Sequence, residues 1–316
     1  MADSGVCARI RAKLPWAPEP VENTLNLPHG DMPGDKLKIN ETHIEKACKI
    51  FPRLLELLIQ AMEENLCERA VVSICGGSGV GKSEIASLLA HYIGHIGIGG
   101  YILSGDNYPH RIPMYNDAER LRIFRYSGIR GLISGGYYSN ERYQILNELQ
   151  KKASDADTDL AATHPWLAVY QKAGREGLKG YLGTPYEINF SELNGILSQF
   201  KNGGRTVYLK RMGRGETDLW YDAVDFSGVN VLFVEWTHGN NDYLEGVDIP
   251  VFLNSTPKET LEHRKSRNRD GGADNPFTMT VLDIEQTALI SQASKAKLIV
   301  AKDGGFLSPR EFSKLI

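Results

Sequence analysis

One stretch of the chain combines glycines, a lysine and a serine in an order that can bind phosphate. Its members are Gly76, Gly77, Ser78, Gly79, Val80, Gly81, Lys82 and Ser83. The stretch fits the pattern G-x-x-x-x-G-K-[ST] at every fixed position. Glycines let successive backbone N–H groups curl around a di- or triphosphate. Lys82 can then reach the β- and γ-phosphates, and the Ser83 hydroxyl can ligate Mg²⁺. The stretch therefore predicts binding of a nucleoside triphosphate together with Mg²⁺.

The elements on either side of this loop are those that such a site requires. Residues 71–75 are an apolar, β-branched run, which is typical of a buried parallel strand. Beyond Ser83, Ile85, Leu88 and Leu89 are apolar at helical spacing. A helix that begins here would point its positive N-terminal end at the phosphates. These flanking elements disfavour the alternative of a glycine-rich turn that binds nothing.

Two acids follow other predicted strands. Asp106 comes shortly after the strand at residues 101–103, and Glu235 lies near the end of the apolar run at residues 229–236. Ligands of open parallel sheets bind at the carboxyl ends of the strands, so both acids are expected beside the nucleotide. We expect Asp106 to be the catalytic base, and Glu235 to orient the metal's waters or hold the acceptor. Ser83, Asp106 and Glu235 are the candidate metal ligands. The alternatives are a helix cap for Asp106 and a surface acid for Glu235.

A predicted helix after Pro257 supplies cations. It carries Arg264, Arg267 and Arg269, which are spaced to place more than one guanidinium on the same side. Phosphoryl transfer is accelerated by cations around the γ-phosphoryl oxygens, so at least one of these arginines is expected to be catalytic. A solvated helix face is the alternative.

Other side chains are candidates for contact with the acceptor. A basic turn after the predicted strand at residues 206–209 could bind a phosphate or carboxylate, although a solvated loop is an equal alternative. Tyr108 could stack on a base or sugar, or belong to a core. The candidate acceptor residues are Tyr108, Lys210, Arg211, Arg214 and His238.

Strands alternate with helices along most of the chain, which predicts a parallel α/β sheet with helices on both faces. Further strands are predicted at residues 206–209, 249–253 and 297–300. Further helices are predicted at about residues 41–66, 139–153, 187–200 and 278–296.

Two segments lie outside this alternation. Residues 1–68 are predicted to form an N-terminal arm and helix, with an edge strand at residues 6–14. Residues 69–316 are predicted to form the nucleotide-binding domain. Within it, residues 111–183 are too long for a simple crossover, so we interpret them as an inserted acceptor-binding or lid subdomain. The apolar stripe of the helix at residues 41–66 predicts packing on its own domain, with a homodimer contact as the alternative.

Composition excludes several classes of protein. The net charge of −3 gives no reason to expect a nucleic-acid partner. The four cysteines contain no C-x-x-C pair and indicate reduced thiols. No apolar run approaches membrane-spanning length and no hydrophobic signal core is present, so we expect no membrane partner and a cytoplasmic location.

The order of these motifs resembles the uridine kinase, phosphoribulokinase and pantothenate kinase family of P-loop small-molecule kinases. Residues 76–83 look like its ATP loop. Asp106-Asn107-Tyr108 looks like its aspartate-aromatic motif, in which the aspartate is the catalytic base. Residues 231–235 resemble its strand ending in Glu, residues 185–190 resemble the segment before its next helix, and residues 264–270 resemble its arginine-rich lid. The resemblance implies a P-loop NTPase-type fold and transfer of the γ-phosphoryl group of ATP to a hydroxyl of a small molecule.

The chain departs from that family on the acceptor side. Glu235 is followed by Trp236-Thr237-His238 in place of glycine, and a basic turn replaces the family's Pro-x-Tyr-Asp region. Nucleosides, sugars, sugar phosphates and pantothenate-like alcohols therefore all stay open as acceptors. An adenylylsulfate kinase and a non-catalytic nucleotide sensor are the alternative functions. A switch-type GTPase is disfavoured because the chain lacks the Asn-Lys-x-Asp guanine motif. The negative charge disfavours a nucleic-acid motor.

Overall fold

The computed structural model describes residues 5–18, 20–21, 26–256, 258–261 and 275–315. The chain forms two compact units. The first comprises Met1–Tyr108, Asn189–Ser255 and Leu289–Ile316, and the second comprises Pro109–Ile188 and Thr256–Ala288. No unit boundary falls at residue 68. The predicted insertion at residues 111–183 lies in the second unit, which also takes in residues 256–288.

The regular elements are numbered in chain order over the described residues. The helices are α1 (Val6–Arg11), α2 (Glu41–Glu63), α3 (Lys82–His95), α4 (Pro113–Ser134), α5 (Asn140–Lys151), α6 (Leu167–Lys179), α7 (Phe190–Lys201), α8 (Pro276–Gln292) and α9 (Pro309–Phe312). The strands are β1 (Ala70–Gly76), β2 (Gly100–Ser104), β3 (Thr206–Met212), β4 (Leu219–Asp225), β5 (Val231–Glu235), β6 (Ile249–Leu253), β7 (Leu298–Val300) and β8 (Phe306–Leu307). Within the described ranges, no helix combines the length and the apolar character that a membrane span needs.

A six-stranded sheet forms the centre of the first unit, in the order β2–β5–β1–β6–β7–β8. All its strands are parallel except β8, which pairs with β7 in the antiparallel sense. Every residue of β1 is buried, as expected of a central parallel strand that is covered on both faces. The predicted parallel α/β fold is confirmed, with an antiparallel edge strand that the sequence pattern did not indicate.

Different parts of the chain cover the two faces of this sheet. On one face, α1, α2 and α3 pack against residues of β1 such as Val72. On the other face, Cys75 of β1 packs in a cluster with Leu289 of α8 and Phe312 of α9. The central strand is therefore covered on both faces.

Val6–Arg11 form the helix α1, so the predicted edge strand at residues 6–14 is wrong. Val6, Cys7 and Ile10 of α1 are buried, which is the spacing of one helix face. The Val6 and Cys7 N–H groups donate to the Glu68 carboxylate at 3.0 and 3.2 Å. A distant carboxylate thus satisfies the amides at the start of this short helix.

The apolar stripe of α2 belongs to the core of its own unit. Phe51 and Leu54 are fully buried there, together with residues of α3 and the sheet. The stripe is therefore not available for the homodimer contact that was the alternative.

A second sheet of two antiparallel strands, β3 and β4, forms what we call the hairpin. The predicted basic turn after residue 209 is wrong for Lys210 and Arg211, because both belong to β3. Lys210 lies opposite Tyr221 and Arg211 lies opposite Trp220 in the ladder. The sequence pattern could not indicate a buried strand here, because strand prediction relies on apolar residues. Lys210 and Arg211 can be buried because carboxylates from other parts of the chain lie beside them.

The second unit contains α4, α5 and α6 around an aromatic core that includes Phe124 and Tyr170. The predicted helix at residues 139–153 is confirmed as α5. Glycines let α4 and α6 approach closely. A Cβ at Gly128 of α4 would lie 2.5 Å from the Tyr170 ring, and one at Gly174 of α6 would lie 2.8 Å from the Phe124 ring.

Gly128→Ala is therefore expected to destabilise the chain, although alanine ordinarily favours a helix over glycine. The added methyl group has to displace the Tyr170 ring, and overpacking of this kind costs about 1–3 kcal/mol. The matched control is Gly195→Ala in α7, where a Cβ would meet nothing within 4 Å. Its stability should stay constant or rise by up to about 1 kcal/mol. Urea unfolding measures both variants, and equal midpoints would contradict the packing described here.

Candidate active site

The predicted phosphate loop joins β1 to α3 and has the backbone shape that its glycines allow. Gly76, Gly79 and Gly81 have φ values of 149°, 79° and 93°, in the region that residues with a Cβ rarely adopt. A Cβ at Gly76 would also lie 2.6 Å from the Leu253 carbonyl oxygen at the end of β6. Glycine is therefore required at Gly76 for two independent reasons, left-handed backbone and close approach of the neighbouring strand.

The lysine and serine of the pattern open α3 at the end of this loop. The Lys82 ammonium donates to the Gly77 carbonyl oxygen at 3.2 Å, so its side chain folds back over the loop. Ser83 is buried, and its hydroxyl hydrogen bonds to the Glu235 side chain. Both side chains therefore lie at the carboxyl end of β1.

Glu235 is the last residue of β5 and lies between the ends of two neighbouring strands. It pairs in register with Ile74 of β1 and Ser104 of β2. Its side chain is buried. Burial raises the pKa of Glu235 to about 7, the Lys82 charge opposes that rise, and the Asp106 charge adds to it. Glu235 is thus a buried acid, and the surface position that was the alternative is wrong.

Asp106 lies in a short 3-10 turn, Gly105–Asn107, that directly follows β2. Its carboxylate is exposed, whereas both neighbouring residues are buried. The influence of its charge on Glu235 puts the two acids close together. The turn is pressed against the Trp236 ring, because a Cβ at Gly105 would lie 2.1 Å from Trp236 Cγ. Asp106 is therefore presented to solvent on a tightly packed turn.

The residues at this sheet edge fit a Mg²⁺–nucleotide. The loop amides and Lys82 could hold the phosphates. Ser83 could supply one oxygen ligand, with Glu235 and Asp106 placed to bind the metal's waters. Mg²⁺ usually keeps several waters and takes few protein ligands. The described part of the chain has no cluster of three or more His, Cys, Asp or Glu side chains able to hold a metal. When bound, Mg²⁺–ATP would supply the transferable phosphoryl group with its charge partly neutralised.

Two of the predicted acceptor residues are buried beside this site. The Lys210 ammonium is buried and lies near the Glu192 carboxylate; desolvation lowers the pKa of Lys210, and the Glu192 charge opposes the change. Tyr108 is fully buried, and its hydroxyl lies by the Lys210 backbone. Met212 N–H donates to Asn107 Oδ1 at 3.0 Å, so the end of β3 is bonded to the residue after Asp106.

Arg211 has a different environment from the one predicted. Its guanidinium donates to the Asp31 and Asp222 carboxylates at 2.8 and 3.0 Å and to the Tyr101 hydroxyl at 3.0 Å. Arg211 is therefore part of a buried ion-pair network. Its role in acceptor binding stays a prediction.

The remaining predicted residues are Arg214, His238 and three arginines after Pro257. Arg214 is exposed in the connection of the hairpin. His238 is buried, with its ring 5.2 Å from that of Trp236. Arg264, Arg267 and Arg269 lie outside the described residues, so their catalytic role also stays a prediction.

Sequence reasoning missed Glu192 as a functional candidate, and with it the Tyr221 hydroxyl that bonds to it. Glu192 accepts from the Tyr221 hydroxyl at 2.7 Å and from Asn189 Nδ2 at 2.9 Å. Asn189 N–H donates at 2.9 Å to the carbonyl oxygen of Tyr108, which lies two residues beyond Asp106 in the chain. This bond anchors the start of α7. The only local signal was Asn189 three residues before Glu192, and that spacing indicates a helix cap.

A phosphate loop after a central parallel strand, with acids at the ends of neighbouring strands, defines a P-loop-type fold. The chain is 40% identical over 252 residues to a bifunctional alpha-galactosidase/sucrose kinase of Mediterraneibacter gnavus. The match takes in 80% of this chain and 22% of that protein, so the chain spans well under half the length of the curated relative it matches. No protein-family model matches the chain.

Two solved structures of kinases are also similar in part. D-glycerate 3-kinase from Cryptococcus neoformans has 13% sequence identity and a TM-score of 0.44, covering 85% of this chain and 99% of that chain. A Silicibacter protein described as a fructose transport system kinase has 14% identity and a TM-score of 0.43, covering 71% of this chain and 85% of that chain.

Glu235→Gln is expected to stabilise the folded chain at alkaline pH. The pKa of Glu235 is about 7 in the folded chain, against an ordinary value of 4.5. Between pH 4.5 and about pH 7, the folded chain therefore keeps a proton that the unfolded chain has released. The wild type should therefore lose stability as the pH rises through this window, by about 3 kcal/mol in all. Glutamine cannot ionise, so the stability of Glu235→Gln should not fall over this pH range.

Urea unfolding at about pH 5 and about pH 8 measures this difference. The control is Glu245→Gln, an exposed acid of the same unit, which should follow the wild type at both values. Parallel profiles for the wild type and Glu235→Gln would show that Glu235 has no raised pKa.

Proposed function

We propose that this chain is a kinase that transfers the γ-phosphoryl group of ATP to a hydroxyl of a small molecule. The observation that carries the proposal is the convergence of Lys82, Ser83, Glu235 and Asp106 at one edge of the sheet. A protein that only senses nucleotide needs the loop and its lysine. It has no evident need for an exposed acid on a packed turn beside them.

The side chains have separate roles in the proposed reaction. The loop amides and Lys82 hold the phosphates, and Ser83 with Glu235 fixes the metal and its waters. Asp106 accepts the proton of the acceptor hydroxyl while the oxygen of that hydroxyl forms a bond to the γ-phosphorus. The bond from that phosphorus to the β–γ bridging oxygen breaks, and ADP leaves with the electron pair.

For the acceptor we propose a sugar or a related polyol. The relative from Mediterraneibacter gnavus is named in part as a sucrose kinase, which supports this class over the nucleosides of uridine kinase. The Glu192 carboxylate, the Lys210 ammonium and the Tyr221 hydroxyl also support it, because neighbouring acceptors and donors suit vicinal hydroxyls. Membership of the uridine kinase, phosphoribulokinase and pantothenate kinase family stays a prediction.

Lys82→Ala should abolish most ADP release in an acceptor screen while the chain stays folded, because the Lys82 ammonium hydrogen bonds to the loop, and Glu235 can stay protonated when it loses the neighbouring charge. The screen offers sucrose, fructose, glycerate, uridine and adenylylsulfate with Mg²⁺–ATP. Lys49→Ala is the control, since its ammonium donates to the Asp303 carbonyl oxygen away from the loop. A response to sucrose or fructose that disappears with Lys82 fits the proposal. A response to adenylylsulfate alone would favour the alternative kinase, and no response to any acceptor would favour a sensor.

Asp106→Asn separates catalysis from binding. Asparagine keeps the size of the side chain and removes the basic oxygen, so ATP affinity should persist. Single-turnover transfer should fall by about 10²–10⁴-fold, which is the usual contribution of a positioned base. Calorimetry with ATP and rapid-quench transfer measure the two effects. An unchanged rate of the chemical step would move the base elsewhere, with Glu235 the next candidate.

A further inference from the structure

The arm between α1 and α2 carries an acid that the catalytic proposal does not use. Asp31 lies in irregular chain, and its side chain is only 8% exposed. Burial raises the pKa of Asp31 and the neighbouring Arg211 charge opposes that rise. A buried carboxylate is costly unless hydrogen bonds satisfy both of its oxygens, so its partners indicate why it is there.

Asp31 bonds to both sides of the turn that presents Asp106. Its Oδ1 accepts from the Ser104 N–H at 2.7 Å and from Asn107 Nδ2 at 3.0 Å. Ser104 ends β2 just before the turn, and Asn107 is the last residue of the turn. One carboxylate oxygen therefore bonds to the residue before the turn and to the last residue of the turn, with Asp106 in between.

The second oxygen fixes the position of the carboxylate itself. Asp31 Oδ2 accepts from the Tyr101 hydroxyl at 3.1 Å and from Arg211 Nη1 at 2.8 Å. Arg211 also donates to the Tyr101 hydroxyl at 3.0 Å, so the three side chains form a closed ring of hydrogen bonds. The bonds from Tyr101 and Arg211 thus fix the Asp31 carboxylate, and the carboxylate in turn fixes the Ser104 N–H and the Asn107 side chain.

We propose that Asp31 is a positioning residue for Asp106, fixing the turn after β2 so that the base meets the acceptor hydroxyl. The inference rests on the proposed function, in which Asp106 is the base. A base must lie within hydrogen-bond reach of the proton it takes, and a small misplacement is costly in rate. Asp31 does not touch the reacting atoms in this account. It acts through the backbone of Ser104 and the side chain of Asn107.

Asp31→Asn tests the proposal with little change in shape. The new amide has one acceptor oxygen and one NH₂ group, whereas all the partners of Asp31 named above are donors. Either Ser104 and Asn107 or Tyr101 and Arg211 must therefore face the NH₂ group and lose their acceptor. The kcat should fall by about tenfold, the order of coupling found between neighbouring groups, while the KM for ATP should change less than about twofold. The phosphate loop is not bonded to Asp31.

The matched control is Arg69→Met, which also removes a buried charge with several hydrogen bonds. Arg69 donates to the Phe200 and Gly204 carbonyl oxygens at 2.8 Å. It lies just before β1, at the opposite end of the parallel sheet from Asp106. Loss of stability alone should affect kcat similarly in both variants, whereas the proposal requires a fall only in Asp31→Asn.

A double mutant distinguishes positioning from general damage. If Asp31 acts through Asp106, then adding Asp31→Asn to Asp106→Asn should cost almost nothing further in single-turnover rate. Additive losses, or a wild-type kcat in Asp31→Asn, would overturn the proposal. Should Asp31→Asn fail to fold, Tyr101→Phe removes one of the four donors. It should show a smaller fall in kcat with the same non-additivity, and a normal or additive result would again overturn the proposal.

Hydrogen exchange gives a readout that does not depend on transfer. The peptide over residues 100–108 should exchange faster in Asp31→Asn than in wild type or Arg69→Met, because either orientation of the new amide breaks the bonds to Ser104 and Asn107 or the bonds that hold residue 31 in place. Unchanged exchange would overturn the positioning role by itself. If the wild type transfers phosphate to no acceptor, the kinase proposal fails, and the exchange comparison still decides whether Asp31 orders the turn.

Discussion

The ionisable side chain of Glu235 can be buried at the end of β5 only because cationic and hydrogen-bonding groups lie beside it. Lys82 and the Ser83 hydroxyl both favour its charged form against the effect of burial. These groups meet because β5 runs beside β1 in the sheet, although more than 150 residues separate them in the chain. The strand order β2–β5–β1 also brings the turn after β2 to the same edge.

That turn is fixed from several directions, none of which is local. The Trp236 ring lies against Gly105, the end of the hairpin bonds to Asn107, and the N-terminal arm bonds to Ser104 and Asn107 through Asp31. These contacts leave one side chain of the turn, Asp106, exposed. An exposed carboxylate on an immobilised backbone is what a general base needs, because its proton transfer depends on position as well as pKa.

How much the sequence predicts depends on how local each signal is. The phosphate loop, the buried strands and the acids after β2 and β5 were predictable, since short motifs and the convergence of parallel strand ends determine them. Asp31 was not, because nothing in a proline-rich arm indicates which residue reaches across some 70 positions to Ser104. Glu192 was missed because it sits where a helix cap places an acid. Arg211 was assigned to a turn because its buried state depends on carboxylates that sequence spacing cannot locate.

The charge balance of the hairpin narrows the class of acceptor. Lys210 lies by the Glu192 carboxylate, and Arg211 is bonded to both Asp31 and Asp222. Among the described residues, three carboxylates thus lie beside two buried cations, so these pairs offer a phosphate no excess of positive charge. A phosphorylated or sulfated acceptor would meet Glu192 and Asp222 at close range, where like charges in partly buried sites are costly. An uncharged polyol has no such cost and can both donate to the carboxylates and accept from Lys210. For the acceptor site proposed above, this charge balance supports a neutral sugar over a sugar phosphate or adenylylsulfate, for a reason independent of any similarity to other kinases.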